Sequence, residues 1–198
     1  MIDTIVFDIG NVLAAFDWPS FIRGFGFSPE AEKEIAEAVF KSNEWKQVDL
    51  GLKSDEELIG LFTANAPQWA DEIRALFEKW QYSVVEYSFA EDWVKELKAK
   101  GLKVYILSNY GRTMFEYARD KFKFLRHIDG GIVSYQINKI KPDPDIYRAL
   151  IEKYGLKPEH SVFLDDLPDN INAAAALGFQ TVLVTSHDAA AVELEKLL

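Results

Sequence analysis

The chain has no cysteine, which excludes a disulfide framework, a thiolate metal site and any chemistry that turns on a thiol nucleophile. Long apolar runs are missing as well. No stretch approaches the ~18 residues of a membrane span, and Met1 to Asp8 turns at once into a strand pattern without a signal peptide's basic and apolar regions. A cytoplasmic protein without a membrane partner is expected. Positive charge is scarce, with 22 Lys plus Arg against 32 Asp plus Glu and a net charge of −10. Such a field repels phosphate backbones and anionic lipid, so nucleic acid is not an expected partner. An anionic small molecule would need a metal ion or a few placed cations to overturn the field locally. Internal repeats, low-complexity tracts and flexible linkers are also absent.

What is present suffices for a packed core. Of the 198 residues, 48% are hydrophobic and 14% aromatic, which suits one compact core with a modest insertion. Short β-branched and aromatic runs predict strands at Thr4 to Phe7, Val104 to Leu107, Ser161 to Leu164 and Thr181 to Val184, with a weaker one at Ile132 to Ser134. Helical patterns fall between them, at Ala90 to Lys100, Arg112 to Phe122, Asp145 to Tyr154 and Asn170 to Leu177, several closed by a glycine. This alternation predicts an α/β fold with a doubly wound parallel sheet. Residues 16–87 break the rhythm. They hold no convincing strand, are rich in aromatics and acids, and carry a capping box at Ser54 and Glu57. The expected layout is an α/β core of residues 1–15 and 88–198, with a helical cap of residues 16–87 inserted after the first strand.

Ligands of open parallel sheets bind outside the carboxyl ends of the strands, and here those ends carry Asp8, Ser108-Asn109 and Asp165-Asp166. Any one of these is ordinary turn chemistry. Together, several acids at adjacent strand ends repel one another unless a cation sits among them, and hard oxygen ligands favour Mg²⁺. Lys141, with its backbone restricted by Pro142, supplies the cation that an anionic substrate would need in such a place. A carboxylate nucleophile, a metal ion, a hydroxyl donor and a lysine suit phosphoryl transfer through an aspartyl phosphate.

Phe7-Asp8-Ile9-Gly10-Asn11-Val12-Leu13, Leu107-Ser108-Asn109, Lys141-Pro142 and Phe163-Leu164-Asp165-Asp166 with Asn170 resemble the four ordered motifs of the haloacid dehalogenase superfamily. The likeness covers essentially the whole chain, and the insertion lies where that superfamily's C1 cap lies. Within it, Asp-Ile-Gly-Asn-Val and the double Asp resemble the branch of the α-D-glucose-1-phosphate phosphatases and the phosphatase domain of soluble epoxide hydrolase. The resemblance implies a Rossmann-like core and a Mg²⁺-dependent phosphomonoesterase acting on a small phosphorylated metabolite, a sugar phosphate first, as a monomer or homodimer. It makes Asp8 the nucleophile and a metal ligand, beside the Gly10 carbonyl and Asp166. Asp165 is either a further ligand or an acceptor beside the metal. Ser108, the backbone of Asn109, Lys141 and Asn11 are implied to hold the substrate and its phosphoryl oxygens, and Asn170 is either an orienting residue or a helix N-cap.

One departure matters. Phosphatases of this type carry a second Asp two residues after the nucleophile, which donates and then takes a proton, and here that position is Gly10. The carbonyl ligand survives and the proton donor does not, which favours substrates with good leaving groups. Asp17 is the replacement acid within reach in sequence, although a solvated or capping role suits it better. The alternatives are a 2-haloacid dehalogenase, with Arg23 as a halide site, and a weakly catalytic sensor of a phosphometabolite. For substrate contacts, Trp18, Asn43 to Lys46 (including Trp45), Tyr110 and Arg112 are the candidates for a sugar-binding wall. His127, His160 and His187 lie near no motif and are read as structural.

Overall fold

The computed structural model describes residues 1–198. Five strands form one parallel sheet: β1 (Thr4–Phe7), β4 (Lys103–Ser108), β5 (Gly130–Val133), β6 (Ser161–Asp165) and β7 (Gln180–Leu183), in the spatial order β5-β4-β1-β6-β7. Every residue of β1 and β6 is buried, as expected of central parallel strands covered on both faces. The side-chain period of two divides β1 between the two faces. Ile5 and Phe7 join one apolar cluster, whereas Val6 joins another with Tyr105, Leu107 and Phe163. On the second face lie α9 (Pro144–Tyr154) and α10 (Pro168–Ala176), whose Ile146, Tyr147, Leu150 and Ala174 complete the cluster.

The first face is covered by α6 (Ala90–Ala99), α7 (Arg112–Lys121) and α11 (His187–Glu195), and its cluster runs on without a break into the inserted segment. That segment is made of α1 (Trp18–Arg23), α2 (Pro29–Ala38), α3 (Trp45–Leu50), α4 (Asp55–Asn65) and α5 (Ala70–Phe77), followed by a 3₁₀ turn at Trp80–Ser83. Ser54 caps α4 through the box with Glu57 that the sequence announces, and Gly51 ends α3 in the left-handed conformation. Phe16, Phe40, Trp45, Phe62, Phe77 and Trp80 pack ring against ring inside it, which absorbs much of the chain's aromatic content.

The expectation that residues 16–87 hold no strand is corrected. β2 (Ala14–Phe16) and β3 (Val84–Glu86) pair antiparallel and form a two-stranded stalk at the two ends of the insertion. Three-residue strands lack the run length that pattern reading requires, and their partner lies about seventy residues away. A short helix, α8 (Ser134–Ile137), follows β5 and packs against α3. The prolines and capping residues account for the helix starts: Ser28 and Pro29 open α2, and Asp143 and Pro144 open α9. No helix is long and apolar enough to cross a membrane.

Candidate active site

Parallel pairing of β1 with both β4 and β6 brings their carboxyl ends to one place. Phe7 is opposite Leu164, so Asp8 follows β1 beside Asp165 at the end of β6, and the Asp8 N–H donates to the Leu164 carbonyl at 2.9 Å. Lys141 enters from the loop before α9 with a side chain 1% exposed; its Nζ lies 2.6 Å from Asp165 Oδ2 and 2.9 Å from Asp8 Oδ1. Asn109 fixes that loop: its Oδ1 accepts from the Lys141 N–H at 2.7 Å, and its Nδ2 donates to the Lys141 carbonyl at 3.0 Å. The side chain of Asn109 is therefore spent on the lysine. Burial opposes charge on Lys141, and Asp8 and Asp165 outweigh it, so its pKa is raised above the ordinary lysine value. Burial acts the other way on Asp8, pushing it up to about 6 against the pull of Lys141.

The two acids after β6 are differently placed. Asp165 has both oxygens engaged within the chain: Oδ1 accepts from the Leu167 N–H at 2.9 Å, Oδ2 from Lys141, and both from Asn170 Nδ2 at 2.9 and 3.1 Å. It is thus an acceptor that holds Lys141 and Asn170. Asn170 lies within α10, whose N-cap is Leu167, so it orients Asp165 and does not cap the helix. Asp166 faces the cavity, and its Oδ2 accepts from Asn11 Nδ2 at 3.0 Å. Asn11 sits at φ 55°, a left-handed position that asparagine tolerates, and its Oδ1 accepts from the Phe16 N–H at 3.3 Å. The turn after Asp8 is thereby tied to both Asp166 and the stalk. Burial raises Asp166 above the usual carboxylate range, with Asn11 pulling down and Asp165 adding to the rise.

Carboxylate oxygens of Asp8, Asp165 and Asp166 lie within 4.8 Å of one another. Asp8 Oδ1 is sealed from solvent and accepts no hydrogen bond of good angle, its contact with Lys141 being ion pairing. The Gly10 carbonyl accepts no bond in its turn. Asp8 Oδ1 and the Gly10 carbonyl, both without a hydrogen bond and with Asp166 beside them, are hard oxygens that suit a divalent cation of the Mg²⁺ kind.

The site opens into a cavity of about 260 Å³ between the sheet and the insertion. Its floor is Asp8, Gly10, Asn11, Asp166 and Lys141; its walls include Phe16, Trp45, Val84, Tyr110 and Met114. Of the candidate sugar-contact residues, only Trp45 and Tyr110 line it. Trp18 stacks on Phe40, and Arg112 lies over Tyr135, both elsewhere. Arg23 bonds Ser20 Oγ at 2.7 Å on the outer side, and Asp17 caps α1 by accepting from the Ser20 N–H at 3.1 Å. Hydrogen bonds to Ser20 hold Asp17 below the ordinary carboxylate value, so it is no proton donor. The histidines stand apart from the cavity, His187 for example stacking on Phe89.

One cavity residue had no signal in the sequence. Asp49, near the end of α3, projects from the insertion into the same space as Asp8 and Lys141. Its backbone carbonyl accepts from the buried Ser134 Oγ at 2.6 Å, and the next carbonyl, that of Leu50, accepts from Asn138 Nδ2 at 2.8 Å. The Ser134 hydroxyl also accepts from the Tyr110 N–H at 2.9 Å. Desolvation, with Asp8 adding to it and Lys141 opposing, pushes the Asp49 carboxyl up to about 7. Tyr110, also in the wall, keeps a buried hydroxyl without a partner.

The family model for haloacid dehalogenase-like hydrolases matches residues 2–178. The chain belongs to that family. It is a hydrolase of the haloacid dehalogenase superfamily with a cap inserted after the first strand, as its motifs implied. Over 104 residues it is 36% identical to mouse bifunctional epoxide hydrolase 2, which covers 50% of this chain and 19% of that protein, so the chain spans about a fifth of that relative's length. A sesquiterpene phosphatase of Aspergillus oryzae is 23% identical over 193 residues, 98% of this chain and 95% of its own. The fold matches a family enzyme of Bacteroides thetaiotaomicron, solved with magnesium and inorganic phosphate, at a TM-score of 0.71 and 22% identity; the match covers 92% of this chain and 93% of that one.

Proposed function

We propose that the protein is a Mg²⁺-dependent phosphomonoesterase that works through an aspartyl phosphate on Asp8. The observation that carries this reading is the placement of Asp8 against Lys141 at 2.9 Å with Asp166 and Asp165 alongside. A carboxylate of Asp8 attacks phosphorus, the bond from phosphorus to the ester oxygen breaks, and water later releases phosphate and restores the carboxylate. Lys141, held in place by Asp165 and Asn109, offsets negative charge as the phosphoryl group transfers. Ser108, buried at the end of β4 beside Asp8, is the hydroxyl donor to the same group. Asp8, Asp166 and the Gly10 carbonyl would hold Mg²⁺, which supplies charge neutralisation on the phosphoryl oxygens when bound.

A small phosphorylated metabolite fits the cavity of about 260 Å³, which is below the usual range for drug-sized ligands. A sugar phosphate is the first candidate, its ring laid against Trp45 and Phe16 at the cavity wall. Metal-free dehalogenation would use Asp8 and the Asp165–Lys141 pair but leaves Asp166 without a purpose, and the halide site expected at Arg23 lies outside the cavity.

The test is a panel of phosphosugars and phosphoacids assayed with Mg²⁺ and with EDTA, beside Asp8→Asn. Turnover should need Mg²⁺ and fall below roughly a thousandth of wild type in Asp8→Asn. Activity that persists in EDTA, or chloride release from 2-chloropropionate, refutes the phosphatase reading.

A further inference from the structure

The sequence leaves the site without the acid that usually stands two residues after the nucleophile. The structure adds that nothing lies within 4 Å of where a Cβ would stand at Gly10. Glycine is therefore not forced there by crowding, and Gly10 itself lines the cavity. Asp49 lines the same cavity from the insertion, and its carboxyl makes no hydrogen bond or ion pair within the chain. Every other carboxyl of the cavity is committed: Asp8 to Lys141, and Asp166 to Asn11.

We infer that Asp49, carried by the cap, is the catalytic acid and base of this enzyme, donating the proton that the leaving group needs. Resting on the phosphatase reading above, this assignment gives one proton transfer to each half of the reaction. Asp8 forms a bond to phosphorus as the phosphorus to ester-oxygen bond breaks, and the Asp49 carboxyl proton passes to that oxygen to give the free alcohol. Asp49, now a carboxylate, takes a proton from the water that attacks the phosphoaspartate. The bond between phosphorus and Asp8 breaks, phosphate leaves, and both carboxyl groups are back in their starting states.

Three further observations support the assignment. The Asp49 carboxyl is raised to about 7 by burial and by Asp8, with Lys141 opposing, so it holds its proton near neutral pH beside an ionisable nucleophile. The other groups lining the space are Asp166, the uncharged hydroxyl of Tyr110 and the amides of Asn11, Asn109 and Asn170, and none of them bonds the Asp49 carboxyl. The backbone around Asp49 is fastened to the core by Ser134 and Asn138, whose bonds to the Asp49 and Leu50 carbonyls hold the end of α3 that bears it. A group borne on the cap but pinned to the core keeps the positional precision that proton transfer requires.

The experiment compares wild type with Asp49→Asn on esters of graded leaving-group strength, from 4-nitrophenyl phosphate through phenyl phosphate to glycerol 3-phosphate. It reads kcat/KM, which reports leaving-group departure. Loss of a general acid should lower kcat/KM roughly 10²-fold for glycerol 3-phosphate and leave 4-nitrophenyl phosphate within a few-fold. The vanadate inhibition constant and the melting temperature serve as controls for an intact site. Equal losses across the series, or a raised KM with kcat unchanged, overturn the inference and leave Asp49 as a binding residue. Wild-type protein inert toward every ester overturns the phosphatase reading as well, so the two failures are told apart.

Discussion

The floor and the roof of the cavity handle their carboxyl groups in opposite ways. On the floor, Asp165 spends both oxygens on Lys141, Asn170 and the Leu167 N–H, and Asp8 lies 2.9 Å from the lysine. On the roof, Asp49 has its backbone held by Ser134 while its carboxyl is left unbonded and pushed up to about 7. The floor sets its acids against one buried lysine, which opposes the rise that burial imposes on Asp8, and so it resembles the charge-matched interior of a metal or phosphoryl site. The roof is built to keep a group in place without fixing its charge. A carboxyl free to gain and lose a proton is useful in a roof and harmful in a floor, where protonation would dismantle the ion pairs. This division also explains how the chain can do without an acid at position 10: the floor acids serve as nucleophile, lysine partner and metal ligand, and the proton is supplied from above.

The largest expected effect comes from emptying the floor of its cation. Lys141→Met leaves Asp8 and Asp165, both buried, facing each other without a counter-charge. Breaking one partner out of a buried ion pair costs about 3–5 kcal/mol, and loss of a phosphoryl-oxygen donor lowers turnover roughly 10²- to 10³-fold. Thermal unfolding should show the loss in metal-free protein, and added Mg²⁺ should recover part of it by binding between the bared acids. If the variant unfolds at the wild-type temperature without metal, the ion pairs of the floor contribute nothing to stability, and the contrast with the roof fails.

A smaller effect is expected where the two regions meet. Gly111, before α7, lies so close to α3 that a Cβ there would stand 2.5 Å from Val48 Cγ1. Its φ of −71° is open to any residue, so Gly111→Ala is a purely steric wedge beside Asp49. Overpacking of this kind costs typically about 1–3 kcal/mol. Displacement of α3 should lower kcat/KM for esters with poor leaving groups roughly tenfold, since small misplacements of a reacting group are costly. Retention of full activity toward glycerol 3-phosphate by a folded Gly111→Ala would show that the roof need not be placed so closely.

How much of this was legible in the sequence follows from the same division. The floor is made by local chemistry at strand ends. Asp8, Ser108, Asp165 and Asp166 each terminate or flank a strongly patterned strand, and Phe7 pairing with both Ile106 and Leu164 brings them together without further information. The roof depends on a long-range approach. α3 has six residues and no acidic or proline signal at its start, and the bonds that aim Asp49 come from Ser134 and Asn138, which lie 85 and 88 positions away from their partners. No periodicity records such a pairing. The same reason hid β2 and β3, whose three residues each are strands only because they meet. Asn109 was readable for its backbone at the end of β4, but the two hydrogen bonds that bind its side chain to the Lys141 backbone belong to tertiary geometry.

The smallest effect concerns stability alone and separates the roof carboxyl from the floor by pH. In the unfolded chain Asp49 ionises near its ordinary value of 3.8, whereas in the folded protein it resists ionisation up to about 7. Below 3.8 the group is neutral in both states and contributes nothing. As pH rises from there to about 7 the unfolded state is favoured progressively, and above that the penalty is constant. Asp49→Asn removes the penalty, so its melting temperature should exceed that of wild type more at pH 8 than at pH 5. The half-buried carboxyl lines an open cavity, which screens it, so a rise of several degrees is expected at pH 8, shrinking towards pH 5. Measurement in EDTA keeps metal binding out of the comparison. An equal offset at both pH values would mean that the variant improves packing, and that the roof carboxyl is ionised as readily as any surface acid.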